Sequence, residues 1–166
     1  MVSPELIRRY PFFAGLKHAN IVTLADAASE QVVEPNHVFF REGEMLQQFF
    51  LLLEGALAIV IELPDSHEAQ PVSDQLLGTL HTEDVVVSTI GPGEVFGWSG
   101  LVPPPTTTAK AKALTRCRVL VFDCPALLQA FNEDCEFGYL MMQRAARVIR
   151  NRLHDMHIQS LAAVTG

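Results

Sequence analysis

The sequence predicts a mainly β fold with helices at both ends, and three observations lead there. Between Gln31 and Asp123, short runs rich in Val, Ile, Leu and Phe alternate with glycine and proline turns, which is the punctuation of strands. On either side of that zone apolar residues recur at helical spacing. With 166 residues, 49% hydrophobic and 19% charged, the chain has the material for one sizeable core. We expect a single domain over 1–166, with N-terminal helices over 1–30, a β-roll over 31–123 and C-terminal helices over 124–163.

The elements follow in order. From Ser3 to Glu30 the apolar residues Leu6, Ile7 and Tyr10, then Ile21, Leu24, Ala25 and Ala28, mark short helices broken by the turn PFFAGL. The strand zone reads HVFFREGE, QQFFLLLEG, ALAIVIEL, DVVVSTIGPGE, AKAKALT and CRVLVFD, and this even spacing implies a sandwich or barrel. In AKAKALT the small Ala109, Ala111 and Ala113 are expected to face inward and Lys110 and Lys112 to face solvent. Leu63 to Asp84 is long for a hairpin connection, and QLLGTLH within it fits an extra strand or flap. From Pro125 the helical period returns with PALLQAFNE and a long amphipathic run from Cys135 to about Ala163.

Composition narrows the function. A net charge of -7 disfavours a surface that tracks nucleic acid, because phosphate contacts need clustered Lys and Arg. Cys117, Cys124 and Cys135 are odd in number and form no C-x-x-C, so neither a disulfide framework nor a zinc site is indicated. No apolar run is long enough for a signal peptide or a membrane span, and a cytoplasmic protein without membrane contact is expected.

Several segments carry a resemblance. YPFFAGLKHANIVTLADAA, FFREGEMLQQFFLLLEGALAIVI, IGPGEVFGWSGLV and RAARVIRNRL resemble the successive parts of cyclic-nucleotide-binding domains of the catabolite-activator kind. Gly43, Gly55, Gly93 and Gly97 fall at that family's turn positions in the right order. The resemblance spans nearly the whole chain and implies a double-stranded β-helix, or jelly-roll barrel, with N-terminal helices and a long C-terminal helix. It also implies a bacterial sensor or regulatory role in signal transduction, no enzymatic activity, and a cyclic nucleotide or a divergent small ligand as the bound molecule.

At the chemistry this sequence departs from the family. Its phosphate-binding cassette reads Phe-Gly-Glu, then about ten residues on an Arg followed by Ser, Thr or Ala; the Glu takes the ribose hydroxyl and the Arg the cyclic phosphate. Here Phe96 and Gly97 match, but Trp98 stands at the Glu position, followed by Ser99. Aligning backward from AKAKALT puts Thr107 at the Arg position and Thr108 at the Ser position, whereas counting forward from Trp98 gives Thr108 and Ala109. Losing both charged partners forfeits roughly 3–6 kcal/mol, which turns micromolar binding into about millimolar. The expected remnants of the cradle are N–H groups of a short helix starting within Gly97–Val102, and the hydroxyls of Thr106, Thr107 and Thr108. Trp98 has two readings: a plug in a closed pocket, making the chain an interaction module, or an aromatic face offered to a different ligand.

Other sites lack their requirements. A cupin-type metalloenzyme has a similar barrel but needs His-x-His, which is absent; His37, His67 and His81 lie in different turns, and His154 and His157 share a helix face. No metal and no catalytic residue is assigned. On the last helix Met142, Ala146, Ile149, Leu153 and Met156 recur at alternating spacings of four and three, an apolar stripe, while Arg144, Arg147, Arg150 and Arg152 read as a solvated face. The stripe packs either on the chain's own barrel or, as the resemblance implies, along a parallel homodimer seam. No helix-turn-helix follows in the sequence given, so direct DNA binding is not expected, and a regulatory protein partner is.

Overall fold

A computed structural model describes residues 1–64 and 82–165. The N-terminal segment holds helix α1 (Pro4–Arg8), a 3-10 turn (Pro11–Phe13) and helix α2 (His18–Asp26). Eight strands follow: β1 (Ala28–Val33), β2 (Val38–Phe40), β3 (Gln48–Glu54), β4 (Leu57–Pro64), β5 (Thr82–Ile90), β6 (Val95–Phe96), β7 (Lys110–Ala113) and β8 (Cys117–Asp123). Helices α3 (Cys124–Glu133) and α4 (Cys135–Thr165) complete the chain.

The strands form two antiparallel four-stranded sheets, ordered β1-β8-β3-β6 and β2-β7-β4-β5. This is the jelly-roll architecture expected. The first sheet is covered on both faces, which explains why FFLLL and VLVF read as continuous apolar runs rather than alternating ones. Along β3, Phe49, Leu51 and Leu53 pack with the helices, while Phe50 and Leu52 enter the space between the sheets. Along β8, Leu120 and Phe122 take the helical side, and Val119 and Val121 the sandwich side. Gly55, between β3 and β4, has φ 100°, and a Cβ there would lie 2.4 Å from the Arg116 carbonyl oxygen, so the turn requires glycine.

Three expectations are corrected. Ala28 to Glu30 are strand, not helix: β1 pairs with β8 from Ala28↔Phe122 to Val33↔Cys117, and this tertiary pairing overrides a helical-looking pattern. Leu63 and Asp84, expected as the ends of a long connection, are paired strand residues, Leu63↔Glu83 and Glu62↔Asp84; QLLGTLH, His67 and His81 lie outside the described residues. Lys110 does not face solvent. Its side chain is 7% exposed, with Nζ 2.8 Å from Glu62 Oε1 and from Asp84 Oδ1. Ala111 and Ala113 do face inward, fully buried.

The long helix α4 is started by Asp134, whose Oδ1 accepts the Phe137 N–H at 3.2 Å and whose Oδ2 accepts from Asn20 of α2 at 3.1 Å. Its inward row is Phe137, Met141 and Ala145, with Val148 half-buried behind them. Among the described residues no helix is long and apolar enough to cross a membrane.

Candidate functional site

The site begins where β6 ends. Phe96 stacks on Phe50 of β3 at 4.8 Å with the planes 9° apart, which fixes the strand end against the sandwich core. Gly97 then turns the chain with φ 79°; a Cβ at this point would meet the Phe50 ring at 2.9 Å. Trp98–Gly100 forms one 3-10 turn in which the Gly100, Leu101 and Val102 N–H groups donate back to Gly97 and Trp98 carbonyls. Those three donors are therefore spent inside the turn, and the expected helix with N–H groups open to an anion is reduced to a three-residue turn. Ser99 is buried and Trp98 half-buried.

The threonines separate by role. Thr107 is 3% exposed; its hydroxyl donates to the Arg41 carbonyl and accepts from the Glu44 N–H, and its backbone pairs with Gly43 and Glu44. It is a loop latch. Thr108 and Ala109 instead line the cavity beside Trp98, together with Phe40, Ile59, Phe96, Gly97 and Ser99. Thr108 and Ala109, which the forward count puts at the Arg position and the next, line the cavity, and Thr107 does not.

That cassette cavity has a volume of about 40 Å³. This is room for a few waters and far below the pockets that take drug-sized ligands, which begin at roughly 300 Å³. Next to it lies a second cavity of about 230 Å³ between the β4–β5 sheet and α4, walled by Ile59, Ile61, Val87, Ile149, Leu153 and Met156. Trp98, Thr108, Ala109 and Ile59 line both, so the indole stands at their common wall. The helix stripe thus divides. Met142 is half-buried against the helical core and Ala146 is exposed, while Ile149, Leu153 and Met156 form one wall of this cavity, with Leu153 still 52% and Met156 42% exposed.

Arg152 is the residue that sequence reasoning missed. Its sequence context reads as a solvated face, yet it reaches inward from α4, donating to the Val95 carbonyl at 2.7 Å and the Ser88 hydroxyl at 3.2 Å. It lines the 40 Å³ and 230 Å³ cavities and also a third, polar groove of about 450 Å³ bounded by Pro11, Glu94, Arg144 and Asn151. Burial lowers its pKa from the usual arginine value, and the nearby charges of Glu94 and Asp155 work the other way. Arg144 also turns inward, capping the carbonyls of Phe12 and Ala14. Only the spacing of Arg152 from the inward row at Phe137, Met141, Ala145 and Val148 signalled its direction in advance.

Other candidate groups stay apart from this site. His37 stands edge-on to Phe39, and His154 and His157 are exposed. Burial, aided by Asp123, pushes the Cys124 thiol up to about 12, the opposite of an activated nucleophile. Cys117 is buried and Cys135 exposed.

Comparison with known proteins agrees with the fold. The family model for the cyclic nucleotide-binding domain matches residues 30–134, more than half of the chain. A CRP-like cAMP-activated global transcriptional regulator of Mycobacterium tuberculosis is 23% identical over 155 residues, covering 92% of this chain and 62% of that protein's length. The fold is similar to a solved putative cyclic nucleotide-binding protein from Geobacter metallireducens, with TM-score 0.73, 27% identity and coverage of 93% of this chain and 100% of that one. A c-di-GMP responsive global regulator from Xanthomonas campestris shares the fold at TM-score 0.66 and 16% identity, over 87% of this chain and 63% of that one.

Proposed function

Because the chain belongs to the cyclic nucleotide-binding domain family, we propose that it is a regulatory sensor module in signal transduction whose pocket is remodelled away from strong cyclic-nucleotide binding. The observation that supports this reading is that Trp98 and Thr108, which the forward count puts at the two positions of the family's charged ligand contacts, line a cavity of about 40 Å³. Neither side chain supplies an ionised partner for a ribose hydroxyl or a cyclic phosphate. The module is regulatory rather than catalytic, and its free thiols Cys117, Cys124 and Cys135 fit a cytoplasmic setting.

A closed-pocket interaction module is the second reading, favoured by the small volume beside Trp98. The 230 Å³ cavity across the indole favours the sensor. The c-di-GMP response of the Xanthomonas protein is consistent with a scaffold that serves ligands other than cAMP. The exposed apolar edge of α4, Leu153 and Met156 with Ala146 above them, supports a homodimer seam, and a regulatory protein partner goes with the same surface. Isothermal calorimetry with cAMP and cGMP tests the central claim. Millimolar or undetectable binding is expected, and a micromolar dissociation constant for either would overturn it.

A further inference from the structure

Arg152 lines three cavities, and the most apolar of them is the one of 230 Å³. The 230 Å³ cavity is walled by aliphatic side chains from two strands and a helix, with the Trp98 indole at one end. Its polar lining residues are Ser88, Thr108 and Arg152, and Ser88 already accepts from Arg152. A pocket with an apolar body and one fixed charge at its edge is the standard means of orienting a small amphipathic ligand. Building on the remodelled-pocket reading, we propose that this cavity binds a small apolar carboxylate, its acyl or aryl body against Ile59, Ile61, Val87 and Met156 and its carboxylate on the Arg152 guanidinium.

The guanidinium has the capacity for this. It carries five N–H donors and uses two of its nitrogens on Val95 and Ser88, both neutral acceptors. Among the described residues no carboxylate is ion-paired with it; the charges of Glu94, which accepts the Gly91 N–H at 2.6 Å, and of Asp155 act on it without such contact. A half-buried arginine whose partners are all neutral gains from an anion, and a guanidinium matches a carboxylate's two oxygens in a fork. Burial lowers the dielectric around it and strengthens that pairing. A neutral ligand of the same shape would lose this interaction, so the cavity discriminates by charge as well as by apolar volume.

Octanoate is the probe, and octanamide its neutral counterpart. Trp98 is the single tryptophan, so its fluorescence reports occupancy without added labels. On the full chain, octanoate should shift the emission saturably and bind at least tenfold tighter than octanamide. Arg152→Gln should abolish that preference, whereas Arg147→Gln, which faces only the polar groove, should keep it. If Arg152→Gln fails to fold, Ala109→Leu decides, because it fills the cavity while leaving the arginine in place and should weaken both ligands tenfold or more. Equal binding of the two probes, no saturable change with octanoate, or unaltered binding by Ala109→Leu would each overturn the site. Calorimetry with cAMP on the same sample separates the layers: octanoate failing while cAMP stays millimolar sinks this ligand class alone, and micromolar cAMP sinks the remodelled-pocket reading with it.

Discussion

The ammonium of Lys110 lies 2.8 Å from Asp84 Oδ1 and equally close to Glu62 Oε1, and those two carboxylates face each other directly in the β4–β5 register. Like charges in directly opposed strand positions repel, so the buried Lys110 bridges a pair that the sheet would otherwise disfavour, while Arg41 at 3.2 Å from Glu62 and Lys112 at 3.9 Å from Asp84 supply further positive charge. Lys110→Met should therefore destabilise the domain by about 1–3 kcal/mol, with the carboxylates' one-third exposure limiting the loss. Adding Asp84→Asn to it should recover part of that. Urea melts of the three proteins measure both effects, and an unchanged midpoint for Lys110→Met would show the cluster to be without consequence.

The same cluster predicts an alkaline transition. Burial pushes the Lys110 pKa down, but hydrogen bonds and charge from Asp84 and Glu62 outweigh it and leave the value above 10.5. With the folded pKa raised, the charged lysine stabilises the native state fully below about pH 10.5, and that stability is lost as pH rises through the folded value. The wild type's advantage over Lys110→Met should hold up to about pH 10.5 and shrink as the pH rises further. Parallel curves for the two proteins would contradict the assignment.

At the other end of the scale, Asp134 should contribute at neutral pH and fail in acid. Its hydrogen bond from Asn20, then that from the Phe137 N–H, hold its carboxyl below the usual 3.8. A depressed folded pKa means the contribution is present above pH 3.8 and disappears as pH falls through the lower folded value. Asp134→Ala should lower the melting temperature at pH 7 and leave a smaller difference near pH 2, as read by circular dichroism. A constant difference across that range would mean that helix capping by this carboxylate is not what the substitution removes.

Restoring the cassette should restore the ligand. Trp98→Glu with Thr108→Arg is expected to raise cAMP affinity by about two to four decades, the reverse of the roughly 3–6 kcal/mol attributed to the missing groups. Trp98→Glu with Thr107→Arg should not, because Thr107 is the latch between Arg41 and Glu44 and has no room for a guanidinium. Calorimetry on both double variants, alongside their melting curves, distinguishes the two registers. Equal gains would show that the loop tolerates either.

The contrast between those registers marks where the sequence is legible. The glycine turns could be read in advance, because Gly43, Gly55, Gly93 and Gly97 all adopt positive φ and few other residues can. The run FFLLL is legible as a strand, and the structure shows it buried on both faces. The first strand was not legible: Ala28–Val33 has four consecutive exposed residues and is defined by its partner β8. Lys110 misled because alternation specifies which face a side chain takes, not what covers that face. Arg152 was hidden for a related reason. Helical spacing puts it in line with Val148 and Ala145, but the cassette it approaches lies on a different element far away in sequence.

The helix edge yields the last expectation, and it turns on which residues can be altered without touching the cavity. Ile149, Leu153 and Met156 serve the cavity wall, while Leu153 and Met156 remain 52% and 42% exposed and Ala146 above them is exposed as well. Apolar residues at alternating spacings of three and four along a long helix are the pattern of a paired seam, in which each side chain enters a gap on the facing helix. Two such helices, with the sheet edges beside them, have the length to reach the standard interface class of about 1,200–2,000 Å². Ala146→Glu together with Leu153→Glu places like charges across that seam, and the variant should sediment as a folded monomer while the wild type sediments as a dimer. Ala146→Glu alone leaves the cavity intact, so it should weaken the dimer without changing the octanoate response of Trp98. A wild type that is monomeric throughout the micromolar range would show that the seam does not form, and that Leu153 and Met156 serve the cavity wall alone.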